Sequence, residues 1–187
     1  MIYYCIPYST EKKLASMYND FMTMLPSNDD FACFVDGDTI FTTSNYGHTI
    51  QDAVQSYPDV GCFTCYTNRV YNTAQIVEGI DYDSNDVIYH RQIGNTLQTV
   101  FGSTCVDITE PLVERGKPMY ISGVMILIKK SLWKKIGGFK NLNGMLGVDN
   151  ELHKDIIAAN EKIYLMKGVY LYHWYRWPDI KNISHLL

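Results

Sequence analysis

Five consecutive residues, Phe31-Ala-Cys-Phe-Val35, carry no charged or hydrogen-bonding polar side chain, and Asp36-Gly37-Asp38 follows at once. A strand apolar at every position is covered on both faces, which requires a sheet sandwiched between layers. A second short apolar run, residues 2–6, is halted by Pro7. Between the two, Ser9 or Thr10 is a suitable cap for a helix starting at Glu11. Leu14, Met17, Tyr18, Phe21 and Met22 recur along it at helical spacing. Strand, helix and strand in so short a span form the unit of a parallel sheet with a crossover connection. The expected fold class is therefore α/β, a single Rossmann-like domain over residues 1–187, with a mostly parallel central sheet flanked by helices.

Further along, residues 49–56 read as a helix ended by Pro58, residues 62–66 as a strand and residues 90–101 as a helix. Residues 72–88 are polar and irregular. A strand is expected over residues 121–128, with Ser122-Gly123 at its start. Ser131 then caps a short helix over residues 132–136, closed by Gly137-Gly138 in a left-handed stop. Val148, Leu152, Ile156 and Ala159 share one face of a helix that begins near Asp149. Residues 162–166 and 169–172 are two short strands around Gly168.

Composition narrows the function. The 187-residue chain has a formal net charge of -4, against a non-specific nucleic-acid binder, whose affinity comes from a basic surface. Five cysteines, an odd number set mostly among apolar residues, predict buried reduced thiols. Cys62-x-x-Cys65 is half of a zinc pattern that no second pair completes. The N-terminal apolar run is too short for a signal peptide, and none reaches membrane-spanning length. A cytoplasmic protein without a membrane span is the expectation.

Asp36 and Asp38 are the first candidates for chemistry. In parallel sheets, ligands gather at the carboxyl ends of strands. Two carboxylates around Gly37, a residue that permits a sharp backbone turn, can direct oxygens at one hard cation such as Mn²⁺ or Mg²⁺. The spacing alone is weak, since Asp81-Tyr82-Asp83 repeats it without a preceding apolar strand. That second run also imitates a calcium loop, but Asp86 stands where glycine is needed and Gln92 where a glutamate is needed.

The segment from Phe31 to Phe41 resembles the metal-binding strand of GT-A-fold glycosyltransferases, especially the family-2-like enzymes. Ser122-Gly123 with its following strand, then Trp133 and Ile136-Gly137-Gly138-Phe139, resemble that family's strand, helix and Gly-Gly-Phe segment. Gly147-Val148-Asp149-Asn150-Glu151 is similar to its acceptor-side acidic helix start, and Gly168 to His173 to a closing strand that ends in a metal-binding histidine. The resemblance implies a cation on Asp36, Asp38 and His173, a nucleoside-diphosphate sugar as donor with UDP-sugars favoured, and an acceptor hydroxyl of unknown identity. It makes Asp149, and next Glu151, the candidate general base. Pro7, Tyr8, Ser122, Gly123 and Arg176 become candidate donor contacts. The family's acidic residue for the nucleobase has no counterpart before Asp36; Asn68-Arg69 is a candidate substitute. A partner or self-association would compensate for so reduced a donor half. A nucleotidyltransferase is the nearest rival, yet it needs a glycine-rich phosphate loop and residues 8–13 contain no glycine. A non-catalytic carbohydrate-binding relative is the other.

Overall fold

The computed structural model describes residues 1–140 and 145–174. Its elements run β1 (Ile2–Cys5), α1 (Leu14–Met24), β2 (Phe31–Val35), β3 (Thr39–Phe41), α2 (Tyr46–Ser56) and β4 (Cys62–Thr67). After a 3-10 turn at Thr73–Gln75 come α3 (Val87–Phe101), β5 (Cys105–Asp107), β6 (Leu112–Glu114), β7 (Lys117–Met119), β8 (Met125–Lys129), α4 (Lys130–Lys135), α5 (Val148–Ala158) and β9 (Ile163–His173). Among the described residues no helix is long and apolar enough to cross a membrane.

The α/β class holds, but the sheet is mixed rather than mostly parallel. Its order is β1-β2-β8-β4-β9-β3, with β5 also on β9 and a separate β6-β7 hairpin. Among the strands of the described residues, only β1 with β2 and β4 with β9 pair in parallel. Strand β8 runs antiparallel between β2 and β4, and β3 and β5 run antiparallel to β9. Burial on both faces makes β8 look like a parallel strand in sequence, because an antiparallel strand inserted centrally is equally apolar.

Strand alternation divides the core. Ala32 and Phe34 face α1, α4 and α5, while Phe31, Cys33 and Val35 face α2. Phe34 is fully buried among Tyr18, Phe21 and Phe139, with ring centroids 4.3, 5.6 and 5.7 Å away. Truncating such a ring to alanine costs about 3–5 kcal/mol. Cys62 and Cys65 lie in opposite clusters and all five cysteines are free thiols, so the half zinc pattern is two core residues.

Several boundaries differ from expectation for local reasons. Helix α1 starts at Leu14, not Glu11, because Lys12 takes a left-handed φ of 56°, and Ser9 Oγ instead accepts the Lys13 amide at 3.0 Å. Ser131 lies inside α4 and caps nothing, although Gly137 and Gly138 are left-handed as expected, with φ of 79° and 82°. The two C-terminal strands are one, β9, whose register on β4 slips between Cys65 and Tyr66. Gly168 sits in that irregularity, where a Cβ would lie 2.0 Å from the carbonyl oxygen of Gly102. Only glycine admits this approach of α3's end to the sheet.

Candidate metal centre

The chain leaves β2 at Val35 with the Asp36 amide still donating to Val124 across the sheet at 3.2 Å. It turns through Gly37 and Asp38 and enters β3 directly. Gly37 does this without a positive φ, and a Cβ there would meet only Ile6 at 3.6 Å, an ordinary contact. Strand β3 pairs with the end of β9, with Thr39 opposite His173, and the Trp174 amide donates to the Asp38 carbonyl at 2.9 Å. That register delivers the imidazole to the carboxylates. Ligand atoms of Asp36, Asp38 and His173 all lie within 4.8 Å of one another.

The histidine is held at three points. Asn68 accepts the His173 amide on Oδ1 at 2.7 Å and donates from Nδ2 to the His173 carbonyl at 3.2 Å. Nδ1 of the ring donates to the Arg69 carbonyl at 2.8 Å. A carbonyl only accepts, so Nδ1 carries a proton, and Nε2 faces Asp38 Oδ1 at 3.3 Å, where it donates to the carboxylate when it is protonated as well and offers a lone pair to a cation once that second proton leaves. A ligating histidine is typically oriented by such a bond on its other nitrogen. Among the described residues, the two other buried histidines are arranged the opposite way. His90 and His153 each donate from Nε2 to a carbonyl, of Ser84 and Thr109, and accept on Nδ1 from the Tyr170 hydroxyl and the Ile121 amide. Both their nitrogens are spent on the fold, and burial lowers both pKa values.

Asp36, Asp38 and His173 floor a cleft of about 720 Å³ that also takes in Pro7, Gly37, Ser122, Gly123 and Asp149. Asp149 lies in the first turn of α5, after Gly147 in a left-handed conformation with φ of 85°. Its Oδ2 accepts the Gly123 amide and its Oδ1 the Asn150 amide, each at 2.9 Å. Burial raises the Asp149 pKa, against the pull of these two amides. Burial also pushes the Asp36 carboxyl up to about 6, opposed by His173 and helped by the charges of Asp38 and Asp149. The His173 hydrogen bond holds Asp38 below the usual carboxylate range. Tyr18 beneath them stays protonated, its pKa raised well above the usual value by burial and then by the Asp36 and Asp149 charges. The site is thus a crowd of acids partly withdrawn from water, an arrangement that a divalent cation relieves.

Not every candidate arrives there. Tyr8 is 76% exposed and does not line the cleft. Glu151 also lies off it and pairs with Lys154 at 2.6 Å. Arg176 lies outside the described residues. Arg69 reaches the cleft wall, and its guanidinium donates to the Asp83 carbonyl at 2.7 Å. Asp81, Asp83 and Asn85, the second acidic run, form a loop fastened by Arg69, by the Tyr172 hydroxyl and by the Asp81 carboxylate accepting the Asp83 amide. Sequence reasoning missed Gln75, which accepts the Ser122 amide at 2.7 Å and donates to the Thr64 hydroxyl at 2.9 Å. It also missed Asn72, which holds the carbonyls of Met119 and Tyr120. Their one signal was polarity just after an apolar strand.

No protein-family model matches the chain, and no curated protein matches it.

Proposed function

We propose that the protein is a metal-dependent glycosyltransferase of GT-A type, moving a sugar from a nucleoside-diphosphate sugar to an acceptor hydroxyl. The observation that carries this reading is the convergence of two carboxylates and one oriented imidazole on the floor of a cleft whose wall holds a further, half-buried carboxylate, Asp149. The donor set of two oxygens and one nitrogen suits Mn²⁺, and Mg²⁺ next.

Asp36, Asp38 and His173 would hold the cation. When bound, it supplies positive charge against the leaving diphosphate. Asp149 is the base, taking the proton of the attacking hydroxyl; burial makes it a stronger base and the two amides fix its direction. Ser122, pinned by Gln75, and Gly123, held by Asp149, keep the opposing backbone in place. Convergence of Asp36, Asp38 and Asp149 on one cleft weighs against a non-catalytic relative.

The test is incubation with Mn²⁺ and a panel of UDP-, GDP- and CMP-sugars. The expected result is metal-dependent release of nucleotide from at least one donor, with a rise in melting temperature. Absence of both for every donor refutes the proposal.

A further inference from the structure

The cleft has an aromatic rim that the metal chemistry does not use. Tyr71, Tyr120 and Trp174 all line it, with Tyr71 76% and Trp174 46% exposed. Large exposed aromatics gathered at one cleft are a recognition surface more than a packing accident. Their backbones are fixed relative to one another. Asn72, next to Tyr71, donates to the Tyr120 carbonyl at 3.0 Å. Arg69, two residues before Tyr71, holds His173, and Trp174 follows that histidine. The Tyr120 ring rests edge-on against His153, with centroids 5.3 Å apart.

Sheet order decides which substrate this rim meets. Pro7 and Leu14 form the wall beyond β1, whereas Tyr71 follows β4, and β2 and β8 lie between the two. The metal centre joins the end of β2, through Asp36, to the end of β9, through His173. Asp149 belongs to the rim side, because its carboxylate accepts from Gly123, three residues after Tyr120. A base and the hydroxyl it deprotonates must share a side.

We infer that Tyr71, Tyr120 and Trp174 form the acceptor subsite and that the acceptor is a saccharide. The ring stacks its C–H face on the aromatic surfaces, while the tyrosine hydroxyls and Asn150 meet its hydroxyls. This rests on the glycosyltransferase reading. In the step served, Asp149 takes the acceptor hydroxyl proton and that oxygen bonds to the anomeric carbon. The bond from the anomeric carbon to the diphosphate oxygen breaks, and the diphosphate leaves with the electron pair.

The experiment titrates wild type, Tyr71→Ala and Tyr71→Phe with maltotriose, cellotriose and chitotriose, with and without saturating Mn²⁺ and UDP, read by saturation-transfer NMR. Mn²⁺–UDP affinity is measured separately by calorimetry for each variant. At least one trisaccharide should bind wild type and Tyr71→Phe alike and bind Tyr71→Ala about tenfold more weakly, with Mn²⁺–UDP affinity unchanged. Tyr71 is exposed, so folding survives the truncation. The inference is overturned if no trisaccharide binds wild type, or if Tyr71→Ala binds as well as wild type. It is equally overturned if Tyr71→Ala loses Mn²⁺–UDP affinity instead, which assigns the rim to the nucleobase. Failure of wild type to bind Mn²⁺–UDP would sink the donor reading alone, since the trisaccharide titration without nucleotide still reads the rim.

Discussion

Nε2 of His173 stands 3.3 Å from Oδ1 of Asp38 because Thr39 and His173 are cross-strand partners, so the metal centre is fixed by the β3–β9 register. A slip of one residue would turn the imidazole to the opposite face of the sheet. His173→Ala and Asp38→Ala should each weaken Mn²⁺ binding by at least about tenfold while leaving the fold intact, since each removes one ligand. Mn²⁺ titration followed by electron paramagnetic resonance checks this. Unchanged affinity in either variant would exclude that residue as a ligand.

Asn68 is expected to act on the metal through His173 alone. Its side chain grips both backbone polar groups of that residue and is fully buried. Asn68→Ala should lower Mn²⁺ affinity about 10–100-fold, the usual effect of losing a ligand's support. It should also move the His173 ring signals in a nitrogen-correlated NMR spectrum, a readout that mere loss of stability would not move.

The raised pKa of Asp36, about 6, gives a pH test. A carboxyl raised on folding favours the native state fully below its unfolded pKa, and that contribution is lost as pH rises through the folded value. The metal-free protein should therefore gain melting temperature from Asp36→Asn at pH 7.5 and nothing at low pH. Metal affinity should run the other way, falling as pH drops below about 6, because the cation must displace the Asp36 proton. Melting curves and Mn²⁺ titrations at matched pH read both; a pH-independent gain would contradict the shift.

Asp149 and the metal ligands should separate kinetically. Asp149→Asn keeps the shape beside Gly123 but removes the base, so Mn²⁺–UDP binding should persist while transfer drops about 10²–10⁴-fold. Equal loss of binding would end the division of roles.

Two glycines make a stability contrast. Gly168→Ala forces a Cβ to within 2.0 Å of the Gly102 carbonyl and should cost about 1–3 kcal/mol or more in urea denaturation. Gly37→Ala meets only Ile6 at 3.6 Å and should stay within about 0.5 kcal/mol.

How far the sequence reaches follows from range. Strand β2, the acids after it, the apolar faces of α1 and α5 and the Gly137-Gly138 stop are written in neighbouring residues, and they were legible. The short strands β5, β6 and β7 were not, because three residues of exposed or mixed pattern carry no periodicity. Lys12's left-handed backbone, which delays α1, has no sequence signature either.

The sequence by itself determined that Asp36 and Asp38 follow a strand buried on both faces, because burial is a property of the side chains in that run. Tertiary structure decided everything that depends on which strand lies beside which. It inserted β8 antiparallel between β2 and β4, which made the sheet mixed, and it joined two expected strands into β9 around Gly168. It brought His173 to Asp38 and placed a proton on Nδ1 through the Arg69 carbonyl. Hydrophobic patterning measures how deeply a strand is buried, and it is silent on strand direction, neighbour and register. Those are set by contacts between residues far apart in the chain.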